Sequence, residues 1–177
     1  KAQSLLDMSM KQFQADNLGP AIKYLNQISG LELTDKNLFE EVRYAELLML
    51  AWRGEVQLLA AQINKGVEFG PGRQLEKMLY TALLSEMSGD TAKAEKHYRL
   101  LGTWNPYFEE GIIPAANFFR KQDPDNMGAY NILVEAIQIN YNSYRLLQAY
   151  AEEAERLGFD EYALSARERL LEIRQSR

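Results

Sequence analysis

The sequence predicts an all-α fold built from a helix–turn–helix unit repeated about five times. A small cluster recurs along the chain: a turn residue, a small residue about five positions later, and an apolar residue four after that. With Ala21, Leu59, Ala94, Ala129 and Ala163 in register, the intervals are 38, 35, 35 and 34 residues. A period of this size marks a stack of supersecondary units, each unable to bury its apolar face alone. On both sides of the turns, apolar residues fall three and four apart, which gives each helix one stripe. No segment shows sustained strand alternation.

In the first unit Leu5, Met8 and Gln12 lead to a turn at Asp16-Asn17-Leu18, and Ala21, Leu25 and Ile28 follow it. Pro20 falls in a first helical turn, where its missing N–H is tolerated. The second unit opens on a helix that is apolar nearly all round (Val42, Tyr44, Ala45, Leu47, Leu48, Met49, Leu50, Trp52), so its register stays open. Gly54 turns the chain towards Val56, Leu59 or Ala60, and Ile63. Gly70-Pro71-Gly72 then separates the second unit from the third.

The third unit has the clearest pattern. Met78, Ala82 and Leu83 precede Gly89-Asp90-Thr91; Ala92, Ala94, Tyr98 and Leu101 follow, and Asp90 is expected to cap their helix. Asn105-Pro106 ends the unit, and Pro106 is expected to start the next helix. In the fourth unit Ile112, Ala115, Ala116 and Phe119 come first. Asp123-Pro124-Asp125 lengthens its turn by about two residues before Asn126, Ala129 or Tyr130, Val134 and Ile137. In the fifth, Leu147, Tyr150, Ala151 and Ala154 precede Gly158. Asp160 is expected to cap a helix carrying Tyr162, Ala163, Ala166, Leu170, Leu171 and Ile173.

Composition removes several classes of function. The 177 residues hold 20 Lys+Arg and 25 Asp+Glu, for a net charge of −5, with 46 % hydrophobic and 25 % charged residues. That is ordinary globular composition. With no cysteine there is no disulfide framework, thiolate metal site or cysteine nucleophile, and the lack chooses neither cytoplasm nor periplasm. One histidine leaves no His-rich metal site. The negative charge argues against a nucleic-acid partner. No apolar run approaches the ~20 residues of a membrane span. Lys1 stands inside helical periodicity, so the chain is expected to be a piece of a longer protein.

The segment Gly89 to Pro106 resembles a tetratricopeptide repeat: Gly-Asp at the inner turn, Ala five residues on, then Tyr98 and a closing Pro. The resemblance implies a right-handed α-α superhelix of about five repeats, forming a single repeat domain over residues 1–177. The second unit departs most from the pattern, and Ser9 stands in the first helix where Ala82, Ala116 and Ala151 supply the small residue later. A longer likeness is to large Bacteroidetes repeat proteins of the cell envelope. It rests on Asn105-Pro106-Tyr107-Phe108-Glu109-Glu110-Gly111, on the stretch from Ala129 to Ile137, and on the stretch from Arg156 to Ala163. It implies, as an alternative role, a self-associating segment of a lipoprotein linked to protein secretion or gliding motility.

Candidate chemistry is sparse. His97 has no Ser, Cys or metal-ligand companion at a telling spacing. Glu109-Glu110 and Glu152-Glu153 are adjacent carboxylates on helices, pointing in different directions, and are expected to be solvated rather than an acid–base pair across a cleft. Asp123 to Met127 echoes a calcium loop, but Met127 and Val134 stand where oxygen ligands belong. Gly70-Pro71-Gly72-Arg73 lacks the Lys-Ser/Thr of a phosphate loop. No enzyme activity, cofactor or metal is expected.

The resemblance places the first helix of each unit along an inner groove. The positions carried over are Leu6, Met10 and Phe13, then Leu79, Leu83, Glu86 and Met87. Ile113, Asn117, Arg120 and Lys121 follow, then Arg145, Gln148, Glu152 and Arg156. Tyr44, Leu48 and Trp52 join in one of two registers. One half of this groove is apolar and the other charged. No Lys or Arg stands at Leu6, Met10, Tyr44, Leu48, Leu79 or Leu83, which argues against a clamp for a terminal carboxylate. The expected partner is a protein or peptide offering an amphipathic helix or a hydrophobic extended segment. The expected contacts are Phe13, Tyr44, Trp52, Leu79, Leu83 and Met87. The competing reading is that some of these groups are buried by a neighbouring helix from the rest of the longer chain.

Overall fold

Each periodic stretch forms a helix in the computed structural model, which describes residues 1–15, 17–125 and 127–175. Among the described residues there are ten α-helices and no strand. They are α1 (Ala2–Gln14), α2 (Leu18–Ser29), α3 (Lys36–Trp52), α4 (Val56–Asn64) and α5 (Gln74–Met87). Then come α6 (Thr91–Trp104), α7 (Glu109–Gln122), α8 (Gly128–Ile139), α9 (Tyr144–Arg156) and α10 (Asp160–Gln175). Helices adjacent in sequence pack as pairs: α1 with α2, α3 with α4, α5 with α6, α7 with α8, α9 with α10. The chain divides into two compact units, Lys1–Val67 and Glu68–Arg177.

Three of the turns inside the pairs share one glycine geometry. Gly89 has φ +79°, and its N–H donates to the Glu86 carbonyl while the Asp90 N–H donates to Ser85. These two bonds satisfy carbonyls that the end of α5 leaves open, and the left-handed φ suits a residue without Cβ. Gly54 (φ +70°) repeats the arrangement with Ala51 and Leu50, and Gly158 (φ +77°) with Glu155 and Ala154. In the first pair Asn17 N–H donates to Gln12 in the same register, 2.8 Å; Asp16 lies outside the described residues. The α7–α8 turn lacks such a glycine and spans five residues where the other four span three. Asp123-Pro124-Asp125 accounts for that added length; Asn126 lies outside the described residues.

Caps follow local chemistry, with two corrections. Asp90 accepts from Lys93 N–H at 3.2 Å, and Asp35 and Ser143 cap α3 and α9 in the same way. Asp160 is not a cap. Counted from the turn glycine it matches Thr91, not Asp90, and it occupies the first turn of α10, where its charge favours the helix dipole. Pro106 does not start a helix. Phe108 N–H donates to Asn105, a turn forms, and α7 begins at Glu109 with Pro114 inside it.

In the first unit the core is Leu5, Leu6, Phe13, Ala21, Leu25, Ile28, Val42, Ala45 and Met49. Buried Ser9 donates its hydroxyl to Ala21 O at 2.7 Å, so a small residue marks the crossing of α1 and α2. The register of α3 is set by Val42, Ala45 and Met49, at helical spacing on the core side. In the second unit α5 touches α7, and α7 touches α9, so the first helices form a row; α6 touches α8 behind them. Ala94, Ala129 and Ala163 are buried in the second helices. Ile112, Ala116, Leu133, Leu146 and Tyr150 belong to the core between the layers.

Candidate interaction surface

The six nominated contact residues fall three to each unit. In the first, Phe13 is 1 % exposed, and Trp52 sets its ring edge-on against it, centroids 5.9 Å apart at 84°. Tyr44 and Trp52 are half-buried. In the second, Leu79 is 1 % exposed, Leu83 is half-buried, and Met87 is 49 % exposed. Phe13 and Leu79 are therefore core residues that present no surface. The stripe on α5 passes from core to solvent over two turns, and Leu83 and Met87 are its accessible end.

The charged half of the expected groove is occupied by its own ion pairs. Lys121 on α7 meets Glu86 on α5 at 2.8 Å, and the second Glu86 oxygen accepts from the Tyr98 hydroxyl of α6, also at 2.8 Å. Burial first, then that carboxylate, hold the Tyr98 phenol well above its ordinary range. Arg145 on α9 donates to Glu109 on α7 at 3.1 Å. Glu153 on α9 has no exposed surface. It accepts from Arg156 Nη2 and Nε, at 2.6 and 3.1 Å, and faces Arg120 of α7 at 3.3 Å. Arg156 also donates to Pro124 O at 2.6 Å. Donating to the Glu153 carboxylate raises the affinity of the Arg156 guanidinium for its proton. These groups link α5 to α7 and α7 to α9.

This corrects the expectation that the paired glutamates are solvated. Glu152 is exposed, but Glu153 is fully buried one residue on, because adjacent helical positions diverge by about 100°. Glu109 is half-buried against Arg145. Burial of Glu110 pushes its carboxyl above the usual range, Arg145 opposes this, and Glu109 and Glu76 add to it. Sequence reasoning also passed over the loop edge of this unit. Trp104 is 73 % exposed, and Tyr107 of the α6–α7 loop and Tyr141 of the α8–α9 loop are exposed too. Asn140 of the α8–α9 loop donates to Pro106 O of the α6–α7 loop at 3.1 Å, joining the two loops. The available signal was Asn105 and Asn140, which stand one period apart.

A recess of about 240 Å³ in the first unit is lined by Ile22, Leu25, Glu46, Met49 and Gln62 among others. Burial raises the Glu46 carboxyl, with Arg43 opposing. The recess is below the range of pockets that enclose a metabolite-sized ligand. His97 is half-buried, and burial, then Lys96 and Lys93, lower its pKa. Among the described residues no group of three or more His, Cys, Asp or Glu could hold a metal ion, and no helix is long and apolar enough to cross a membrane. The chain matches no family model and no curated protein, so its functional reading rests on the geometry of these surfaces.

Proposed function

We propose that the chain is a non-catalytic protein-interaction scaffold whose partner docks on the face of α5 that carries Leu83 and Met87. The observation that carries this reading is apolar surface held on a fixed frame. Met87 keeps 49 % of its surface exposed beside Glu86, which is itself bonded to α6 and α7. A preformed surface loses little ordering entropy when a partner arrives. The partner is an amphipathic helix or a hydrophobic extended segment of another protein. Tyr44 and Trp52 offer the corresponding half-buried aromatic surface of the first unit. In the fuller form of this proposal the helix pairs are five tetratricopeptide-like repeats in one right-handed superhelix over residues 1–177. The recurring glycine turn and the pairing of adjacent helices support it.

The test uses the chain and its Leu83→Glu and Met87→Glu variants as baits in a lysate of the source organism, membranes included. Circular dichroism checks that helicity is retained. The expected result is one partner held by the parent chain and lost from both variants. A partner set that neither substitution changes, or no partner at all, overturns the assignment.

A further inference from the structure

Glu46 is the only charged residue between Tyr44 and Trp52, an otherwise apolar stretch of α3. Residues 46, 49, 50 and 53 lie three and four apart and share a helix face. That face forms one side of the recess of about 240 Å³ in the first unit. Helix α2 touches α3, and α3 touches α4, so each of the three contributes a wall. The floor is apolar: Leu25 of α2 and Met49 of α3 are 4 % and 2 % exposed. Leu50 adds a half-buried apolar wall. Asn26 of α2 is exposed at the rim, and Gln62 of α4 is half-buried.

The polar groups of this recess have no partners of their own. Glu46 makes no ion pair and no side-chain hydrogen bond among the described residues, and neither do the side-chain amides of Asn26 and Gln62. The nearby arginines are turned elsewhere. Arg53 pairs with Glu55, and Arg43 sets its guanidinium over the Phe39 ring, 5.9 Å from the centroid. Burial therefore pushes the Glu46 carboxyl above its ordinary range, with Arg43 opposing. A half-buried carboxylate without a partner costs free energy, and a cation brought to it removes that cost.

We propose that this recess takes the side chain of a lysine on another protein, with the ammonium on Glu46 and the alkyl stem against Leu25, Met49 and Leu50. Three features select this occupant. An apolar floor beside one carboxylate matches a flexible alkyl stem that ends in a compact positive charge. An ammonium carries three donors, and Glu46, Asn26 and Gln62 supply three acceptor groups. The recess exceeds the roughly 150 Å³ that encloses a benzene-sized group, yet it is too small for a whole metabolite. Its size thus suits the end of a larger molecule. The proposal does not rest on the α5 face, and its failure would leave that reading untouched.

The probes are Nα-acetyl-lysine methylamide, its norleucine counterpart, which keeps the stem without the ammonium, and n-pentylammonium, which keeps the ammonium without the backbone. Each is titrated at constant ionic strength into the full chain, isotope-labelled at its methionine methyl groups and followed by NMR. Met49 lines the recess, while exposed Met8 and Met87 report binding elsewhere. The lysine probe is expected to shift Met49 saturably, with an affinity about tenfold above that of the norleucine probe. Glu46→Gln should abolish this preference and leave the norleucine affinity unchanged, with circular dichroism confirming the fold. The comparison of probes on the parent chain stands without any variant. Equal affinity for the lysine and norleucine probes, a preference that survives Glu46→Gln, or shifts at Met8 and Met87 with none at Met49 overturns the proposal. So does tighter binding of n-pentylammonium than of the lysine probe, since the recess would then hold a free amine.

Discussion

Glu110 and Glu153 show how differently two helical carboxylates can be treated within one face. Glu153 is buried but takes charge-assisted hydrogen bonds from Arg156 and faces Arg120, so its charge is compensated where it sits. Glu110 has less compensation. Desolvation raises its pKa, and the nearby Glu109 and Glu76 add to the effect. A carboxyl whose pKa is higher folded than unfolded favours the fold at acid pH. That contribution is complete below the unfolded value of about 4.3 and is lost as pH rises through the raised folded value. At neutral pH the ionised Glu110 is therefore a local cost, and Glu110→Gln should remove it. Thermal melts of the two proteins should separate at pH 7, with the Gln variant melting higher, and converge towards pH 4. A melting difference of the same size at both pH values would show that the carboxyl's ionisation is not its source.

At the scale of the element, the turn decides more than the helices it joins. The Gly89 turn closes α5 with two backbone bonds at a φ that only glycine adopts without strain, and nothing lies within 4 Å of where its Cβ would be. Gly89→Ala therefore tests backbone strain alone. It should destabilise the protein by about 1 kcal/mol, which lowers the melting temperature by about 2–4 °C in a chain of this size. An unchanged melting temperature would mean that the backbone there relaxes out of the left-handed region. This turn was legible in the sequence because Gly54, Gly89 and Gly158 each stand five residues before a buried residue, Leu59, Ala94 and Ala163. The added length at Asp123-Pro124-Asp125 was legible for the same reason. The start of α7 was not. Pro106 fits a first helical turn, but the Asn105–Phe108 turn spends those residues before the helix begins. The register of α3 was also hidden, since a helix apolar on every side carries no stripe to read: Val42, Ala45 and Met49 enter the core, and Leu48 and Trp52 pack against the same core while half-buried.

Across the molecule, the helix pairs in contact lie one or two elements apart in sequence. Such a topology made the fold class readable, because each unit repeats the same local decisions. It made the candidate surface harder to read. Whether Leu79 faces solvent or core depends on which helix lies against it, and periodicity gives α5 a stripe without saying where the stripe ends. The ion pairs of Glu86, Glu109 and Glu153 join residues 35 or so apart, a coupling that no single-helix pattern displays. The same topology limits how far a perturbation travels. Where helices touch only near neighbours in sequence, stability is close to a sum of unit and neighbour terms. Leu133 on α8 is fully buried in the core of the second unit. Leu133→Ala should cost about 2–5 kcal/mol through lost burial and the cavity left behind. Native-state hydrogen exchange should show that loss as reduced protection in α8 and in its neighbours α7 and α9. Helix α5, which is seated on α6 and α7, should keep most of its protection. An equal loss in α5 and α8 would mean that the second unit opens as one cooperative body, and that the row of ion pairs from Glu86 to Glu153 couples its helices more strongly than neighbour packing does.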